Sequence, residues 1–292
     1  MNIYKKENSL FVVLITYILT TILTICITST IDFNNEWMMI LFAHSVATIG
    51  IYISSLIFNN SSMYDPFWSV APIPIIIYLA YFSNNLVLND LYTSLIVFVV
   101  LFWAVRLTHN WTMVWGGLKE EDFRYVDLKQ GNLLKKEIVN FFGIHYIPTL
   151  QVNVSLLPLY FVFNESVINY NWILIGTSIS ICAVVLQIIA DKQMRDFKKN
   201  IFNKNKIMNL GLWKYSRHPN YLGEVMFWIG LYVIALSVEN LPFWLFLAPL
   251  SMVVLFVFIS CPMMDERSLK KRPGYKEYMD KTSQLLILPF SR

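Results

Sequence analysis

The 23 lysines and arginines of this chain fall into four groups, separated by long stretches that contain none. Lys5 and Lys6 form the first group, Arg106 to Lys136 the second, Lys192 to Arg217 the third and Arg267 to Arg292 the last. The sequence between them is apolar in runs of the roughly 17–25 residues that a helix needs to cross a bilayer. Hydrocarbon offers the backbone no hydrogen-bond partners, so such a run must satisfy its own amides and carbonyls as a helix. Eight runs are present: Leu10–Ile31, Trp37–Phe58, Phe67–Ser83, Leu88–Val105, Ile138–Phe163, Trp172–Ala190, Tyr221–Val238 and Pro242–Cys261. With 56% hydrophobic and 14% charged residues and a mean hydropathy of +0.52, the composition excludes an ordinary soluble domain.

The same charge groups predict a topology, because basic residues mark the cytoplasmic side of a membrane. Lys5/Lys6, the loop 106–136, the loop 191–219 and the tail belong on one side. The base-free connections at Asp32–Glu36, Asn84–Asn89, Asn164–Asn169 and Glu239–Asn240 belong on the other. An even number of spans is required, and eight satisfies it. Pro66, Pro72 and Pro74 bend or break the start of the third run, yet a re-entrant third run would put the tail on the wrong side. The expected fold is therefore all-α: one membrane-embedded polytopic bundle of about eight spans with both termini cytoplasmic. Residues 1–60 supply an N-terminal two-helix part, and 61–292 supply a core with its pocket in 187–280. Its place is an endoplasmic reticulum or plasma membrane, according to the host.

Cys26, Cys182 and Cys261 lie inside apolar runs without metal-ligand spacing, so neither a disulfide framework nor a metal site is indicated. The first run is longer than a signal-peptide core and reads as a retained anchor. The net charge of +4 reflects loops facing anionic lipid and carries no sign of a nucleic-acid partner. No Gly-x-Gly-x-x-Gly follows a strand, so a bound nucleotide must be held by side chains of the helices.

Three polar sets carry the chemistry. Gly211–Trp228 brings Lys214, Tyr215, Arg217, His218, Asn220, Tyr221 and Glu224 to the entry of an apolar span. Pro219 suits a first helical turn, and the helix N-terminus behind it favours an anion. Glu224, four residues after Asn220, lies about one turn inside the membrane, where a carboxylate needs a partner. Arg217, His218 or a ligand hydroxyl is the expected one. The second set, Gln187, Asp191, Arg195 and Lys198/Lys199, shares one helical face at the end of the sixth run. The bland reading is an Asp191–Arg195 pair ending a span while the lysines reach lipid phosphates. The third is the tail, where Arg267, Arg272, Tyr275 and Tyr278 interleave bases with aromatic rings. It reads as a membrane-surface helix or as a surface that stacks on a nucleotide. The segment Glu120–Tyr125 reads as an interfacial helix or a lid.

The segments Tyr64–Ser69, Gly117–Tyr125, Trp213–Glu224 and Ser260–Arg267 through Tyr278 resemble the membrane family related to the C-terminal domain of steroid 5-alpha-reductases. The wider clan also holds sterol reductases and isoprenylcysteine carboxyl methyltransferases. The resemblance covers nearly all of the chain after residue 60 and is weakest in the first two spans. It implies NADPH held between the last helices. By position, Gln187, Asp191 and Arg195 match the polar face on the nucleotide, Tyr215 an aromatic before the cluster, and Asn220 with Glu224 the amide–carboxylate pair at the nicotinamide ribose. Arg267 and Tyr278 fall where a tail closes over the cofactor. The carboxylate and tyrosine that polarise the enone carbonyl have no direct motif match, and Asp65 with Tyr64 takes that place.

The leading expectation is an NADPH-dependent reductase of an activated C=C bond in a steroid or other lipophilic substrate drawn from the bilayer. Two alternatives stay open: an S-adenosylmethionine-dependent methyltransferase of a lipidated acceptor, and a non-catalytic lipid-binding membrane protein. Arg195, Lys198, Lys199, Arg217, Arg267 and Arg272 suit an anionic cofactor better than a sulfonium cation.

Overall fold

The computed structural model describes residues 3–82 and 90–288. The connection Asn84–Asn89, the ends of the third and fourth runs at Ser83 and Leu88, and Arg292 lie outside the described residues. Apart from two isolated bridges, Val167 with Val238 and Ser216 with Ser283, the described residues form helices and the turns between them. Among the described residues, seven helical stretches are long and apolar enough to cross a membrane: Lys6–Thr28, Glu36–Ile57, Ser61–Phe82, Leu91–Val114, Leu133–Asn164, Tyr170–Lys199 and Phe243–Lys271. The remaining run, expected at Tyr221–Val238, forms a 17-residue helix over Pro219–Ala235. At 1.5 Å per residue it is about 25 Å long, short of a hydrocarbon core of about 30 Å.

The chain packs as two compact units, with boundaries at Phe82, Trp103 and Leu156. The first unit begins with α1 (Lys6–Thr28) and α2 (Glu36–Ile57). Along α1, Ser9, Val13, Thr16, Thr20 and Thr24 are buried while Leu19, Ile22, Leu23 and Ile25 are exposed. Small hydroxyl residues thus line the packed face and large aliphatics the lipid face, as expected where close packing drives association. Gly50 of α2 permits this approach, since a Cβ there would sit 2.7 Å from Thr20 Cγ2. Asn60 then caps a tight turn at Ser61–Met63 by accepting from the Ser62 amide at 2.9 Å. Two of the three prolines act as the sequence suggests: Pro66 precedes the short α3 (Phe67–Val70), and Pro72 opens α4 (Pro72–Phe82), whose first turn takes in Pro74.

After α5 (Asp90–Val114) come the short α6 (Phe123–Leu128) and α7 (Leu133–Ile138), then a π-helical stretch, Val139–Tyr146, that runs straight into α8 (Ile147–Asn164). The wider π turn sets residues five apart over one another. His145 Nδ1 accordingly reaches the Asn140 carbonyl at 2.8 Å.

The second unit is dominated by α9 (Tyr170–Lys199) and α10 (Pro219–Ala235). Their backbones touch: a Cβ at Gly176 would lie 2.5 Å from the Gly230 carbonyl, and one at Gly230 2.1 Å from Ser180 Oγ. The chain continues through α11 (Leu247–Leu255), a second π stretch (Phe256–Ser260), α12 (Cys261–Lys271) and α13 (Tyr275–Lys281). Gly274, at φ 77°, makes the turn between the last two.

Candidate functional site

In the second unit the expected residues separate into three places. Gln187 and Glu224, both buried, face each other across α9 and α10, with Gln187 Nε2 donating to Glu224 Oε2 at 2.7 Å. Trp228 Nε1 donates to the other carboxylate oxygen at 3.2 Å. Gly223 makes room, because a Cβ there would meet Gln187 Cγ at 2.5 Å. Glu224 is therefore paired inside the span, as its cost demands. An amide and an indole supply that partnership, and Arg217 and His218, expected there, bond Asp265.

Arg217 and His218 converge on Asp265 at the start of the tail. Arg217 donates through Nε and Nη2 to Asp265 Oδ2 at 3.2 and 2.9 Å, and His218 Nε2 donates to Oδ1 at 3.0 Å. The Tyr275 hydroxyl donates to the same Oδ1 at 2.8 Å. Arg217 Nη1 also caps the carbonyls of Met279 and Thr282 at 3.0 and 2.7 Å. The Tyr278 hydroxyl donates to the Trp213 carbonyl. Burial holds the Tyr275 and Tyr278 hydroxyls above the usual phenol range, so both remain donors through neutral pH. This centre latches the tail onto the segment before α10. Arg217, Tyr275 and Tyr278, expected to hold a nucleotide, bond within the chain here. Asp265 reads in the sequence only as a charge of the tail; its sign, opposite to that of Arg217, is the signal that links them.

The third place is a cavity of about 490 Å³ at the C-terminal end of α9. Its lining includes Lys198, Lys199, Lys204, Lys206, Lys271 and Arg272, with Met194, Phe197 and Met208, and no carboxylate. Three of those bases, Lys204, Lys206 and Lys271, were not singled out from sequence. Asp191, buried, and Arg195, half-buried, lie one and two turns beyond Gln187 along α9. Arg272 Nη1 donates to Ser268 Oγ at 2.9 Å. Arg267 is half-buried on α12. Lys214 lies over the Tyr215 ring at 5.6 Å. Asn220, half-buried in the first turn of α10, makes no side-chain hydrogen bond among the described residues.

In the first unit the adjacent pair Tyr64 and Asp65 has separate partners. The Tyr64 hydroxyl shares a hydrogen bond with Thr149 Oγ1 at 2.9 Å, and Asp65 accepts from the Tyr125 hydroxyl. Burial, aided by the charge of Asp65, pushes the Tyr125 hydroxyl well above the usual phenol range. The segment Glu120–Tyr125 is packed down here: Glu121 accepts from the Ser61 amide at 2.7 Å, and Asp122 caps α6 through the Arg124 amide at 2.9 Å. No group of metal-ligating side chains occurs among the described residues.

The family model described as "Protein of unknown function (DUF1295)" matches residues 51–282. The chain belongs to this family. DUF1295 is a steroid 5-alpha-reductase-like family, so the resemblance carried by the motifs from Tyr64 onward holds at that level. Among relatives, an uncharacterized protein of Schizosaccharomyces pombe is 26% identical over 253 residues, covering 77% of this chain and 72% of that protein. The 3-oxo-5-alpha-steroid 4-dehydrogenase 1 of Rattus norvegicus is 26% identical over 155 residues, covering 43% of this DUF1295 chain and 60% of the rat protein. No solved structure matches the chain.

Proposed function

We propose that this chain is an NADPH-dependent membrane reductase of an activated C=C bond in a lipophilic, enone-type substrate. The observation that carries the cofactor is the cavity at the end of α9, with six bases and no carboxylate in its lining. A dinucleotide bearing a pyrophosphate and a 2′-phosphate fits such a donor set, because charge-assisted hydrogen bonds to phosphate are among the strongest a protein makes. A sulfonium cofactor gains nothing there. Lys198, Lys206 and Arg272 would hold the phosphates, and Asp191, Asn220 and the Gln187–Glu224 pair the more polar, uncharged part. When bound, NADPH supplies a hydride to the β-carbon of the enone. Glu224, fixed by Gln187 and Trp228, stays in one rotamer inside the span and presents a defined acceptor edge. The likeness to a rat steroid dehydrogenase supports the substrate class.

The test is thermal unfolding of the purified protein with NADPH, NADH or S-adenosylmethionine. A ligand at a hundred times its dissociation constant stabilises by about 2.7 kcal/mol. Stabilisation by NADPH alone is expected. Stabilisation by S-adenosylmethionine alone would move the assignment to the methyltransferase reading, and no effect of any of them would leave a lipid-binding protein.

A further inference from the structure

Two bonds fix the register of α2 against the π stretch and α8. Thr48 Oγ1 lies 2.8 Å from Thr149 Oγ1, and Ser55 Oγ lies 3.0 Å from His145 Nε2. Moving forward along α2 from 48 to 55 thus means moving back along the partner from 149 to 145, so the helices are antiparallel. One turn further from the Ser55 end, α2 presents His44 and α8 presents Asn153, at the same level as each other. Both are buried, at 4% and 1% exposure.

Thr48, Ser55, His145 and Thr149, the polar side chains that mark this register, are all partnered. Thr149 donates to the His145 carbonyl at 2.9 Å and is bonded by Thr48 and by Tyr64 at 2.9 Å. His145 spans from Asn140 to Ser55. At the His44–Asn153 level the pattern stops: His44 Nδ1 and Asn153 Nδ2 are buried and have no hydrogen-bond partner among the described residues. A buried donor left unmade costs the full desolvation of the group, and a leucine in place of Asn153 would avoid that cost. Two such groups at one level, next to a register whose marked hydroxyls and imidazole are partnered, make a place for something that arrives. Phe67 packs against the His44 ring at 5.5 Å and against the Tyr64 ring at 5.5 Å, so the site has an apolar wall.

We propose that His44 and Asn153 form a binding site, inside the membrane, for the single oxygen function of a lipophilic ligand. Asn153 Nδ2 donates to that oxygen. His44 Nδ1 donates to a ketone in one tautomer, or accepts from an alcohol in the other. The hydrocarbon body of the ligand lies against Phe67 and the aliphatic faces of the spans. The site rests on the reductase reading only for the name of its ligand; failure of NADPH to bind would overturn that reading and leave this site standing.

The experiment uses the full chain in lipid nanodiscs. Tritiated 4-cholesten-3-one is the probe, with unlabelled cholesterol and the oxygen-free hydrocarbon cholestene as competitors. The oxygenated molecules are expected to bind about tenfold more tightly than cholestene, the worth of one or two neutral hydrogen bonds. His44→Leu and Asn153→Leu should each erase most of that preference while raising the unfolding midpoint of the ligand-free protein, because each removes an unmade bond. Leu matches Asn in shape, so Asn153→Leu remains informative if His44→Leu does not fold. Equal binding of cholestene, or an unchanged preference in a variant that folds, would overturn the proposal and leave an ordered water at the site. A lowered midpoint for Asn153→Leu would overturn it in favour of a structural role.

Discussion

Asp265→Asn removes one charge and almost no volume from the centre that latches the tail. In the wild type this carboxylate receives four hydrogen bonds, two from Arg217 and one each from His218 and Tyr275, at 2.8–3.2 Å. The side chains of Arg217 and Asp265 are 11% and 6% exposed, so water replaces little of what is lost. The asparagine keeps one acceptor oxygen but turns its amide donors toward donors of the same sign. Arg217 retains only the carbonyls of Met279 and Thr282. Breaking one partner of a buried ion pair costs about 3–5 kcal/mol, which for a chain of this size is a drop on the order of 10 °C. The assay is thermal unfolding in detergent, run beside limited trypsin cleavage at Lys276 and Lys281, which the latch protects. The second variant, Asp265→Asn with Arg217→Gln, removes both charges and should recover part of the loss. Glu266→Gln, which breaks an exposed pair with Lys270 four residues on, should leave the midpoint unchanged. If Asp265→Asn unfolds with the wild type and its tail resists trypsin equally, the latch does not hold the tail and the reasoning fails.

Glu224→Gln should weaken NADPH binding sharply while the apo protein still folds and inserts; normal binding by a destabilised apo protein would make Glu224 structural only. Gly230→Ala forces a methyl into Ser180 Oγ and should destabilise by about 1–3 kcal/mol, measured by the same unfolding assay; a neutral result would mean that α9 and α10 separate freely. The wild type should prefer NADPH to NADH, with Lys206→Gln or Arg272→Gln narrowing the gap in affinity measured by calorimetry. A single cysteine at Ser166 should be labelled only from the side opposite the loops 106–136 and 191–219, and labelling from the same side as those loops would overturn the topology.

The spans were legible because length and charge alone decide them: a run such as Leu10–Ile31 has no soluble alternative. The proline breaks at Pro66 and Pro72 and the helix start at Pro219 were legible for the same local reason, the fixed φ and missing amide of proline. The short α10 was not, because hydropathy marks where apolar residues run on, whereas the helix stops where Ser237 and Glu239 turn to pair with the segment 166–169. Side-chain partnership was the least legible. Periodicity correctly put Glu224 on a face that needs a partner, but choosing between Arg217 and Gln187 depends on α9 lying against α10, a contact set by Gly176, Gly223 and Gly230 and invisible to spacing along one helix. His44 and Asn153 gave no local signal at all, since each is an ordinary single polar residue until the antiparallel register sets them level.

The glycine contacts between α9 and α10 also bear on motion. Helices whose backbones touch cannot slide past one another without a clash at every glycine, so the pair behaves as one stiff beam. Gln187 and Glu224 sit on that beam and keep their separation whatever the rest of the second unit does. Compliance is left to the turns at 200–216 and to the latch between Arg217 and the tail. The basic cavity, lined from Met194 onward, lies beyond those contacts, so its rim can shift without disturbing Gln187 and Glu224. Weakening the Asp265 latch should therefore loosen the tail without changing the separation of Gln187 and Glu224.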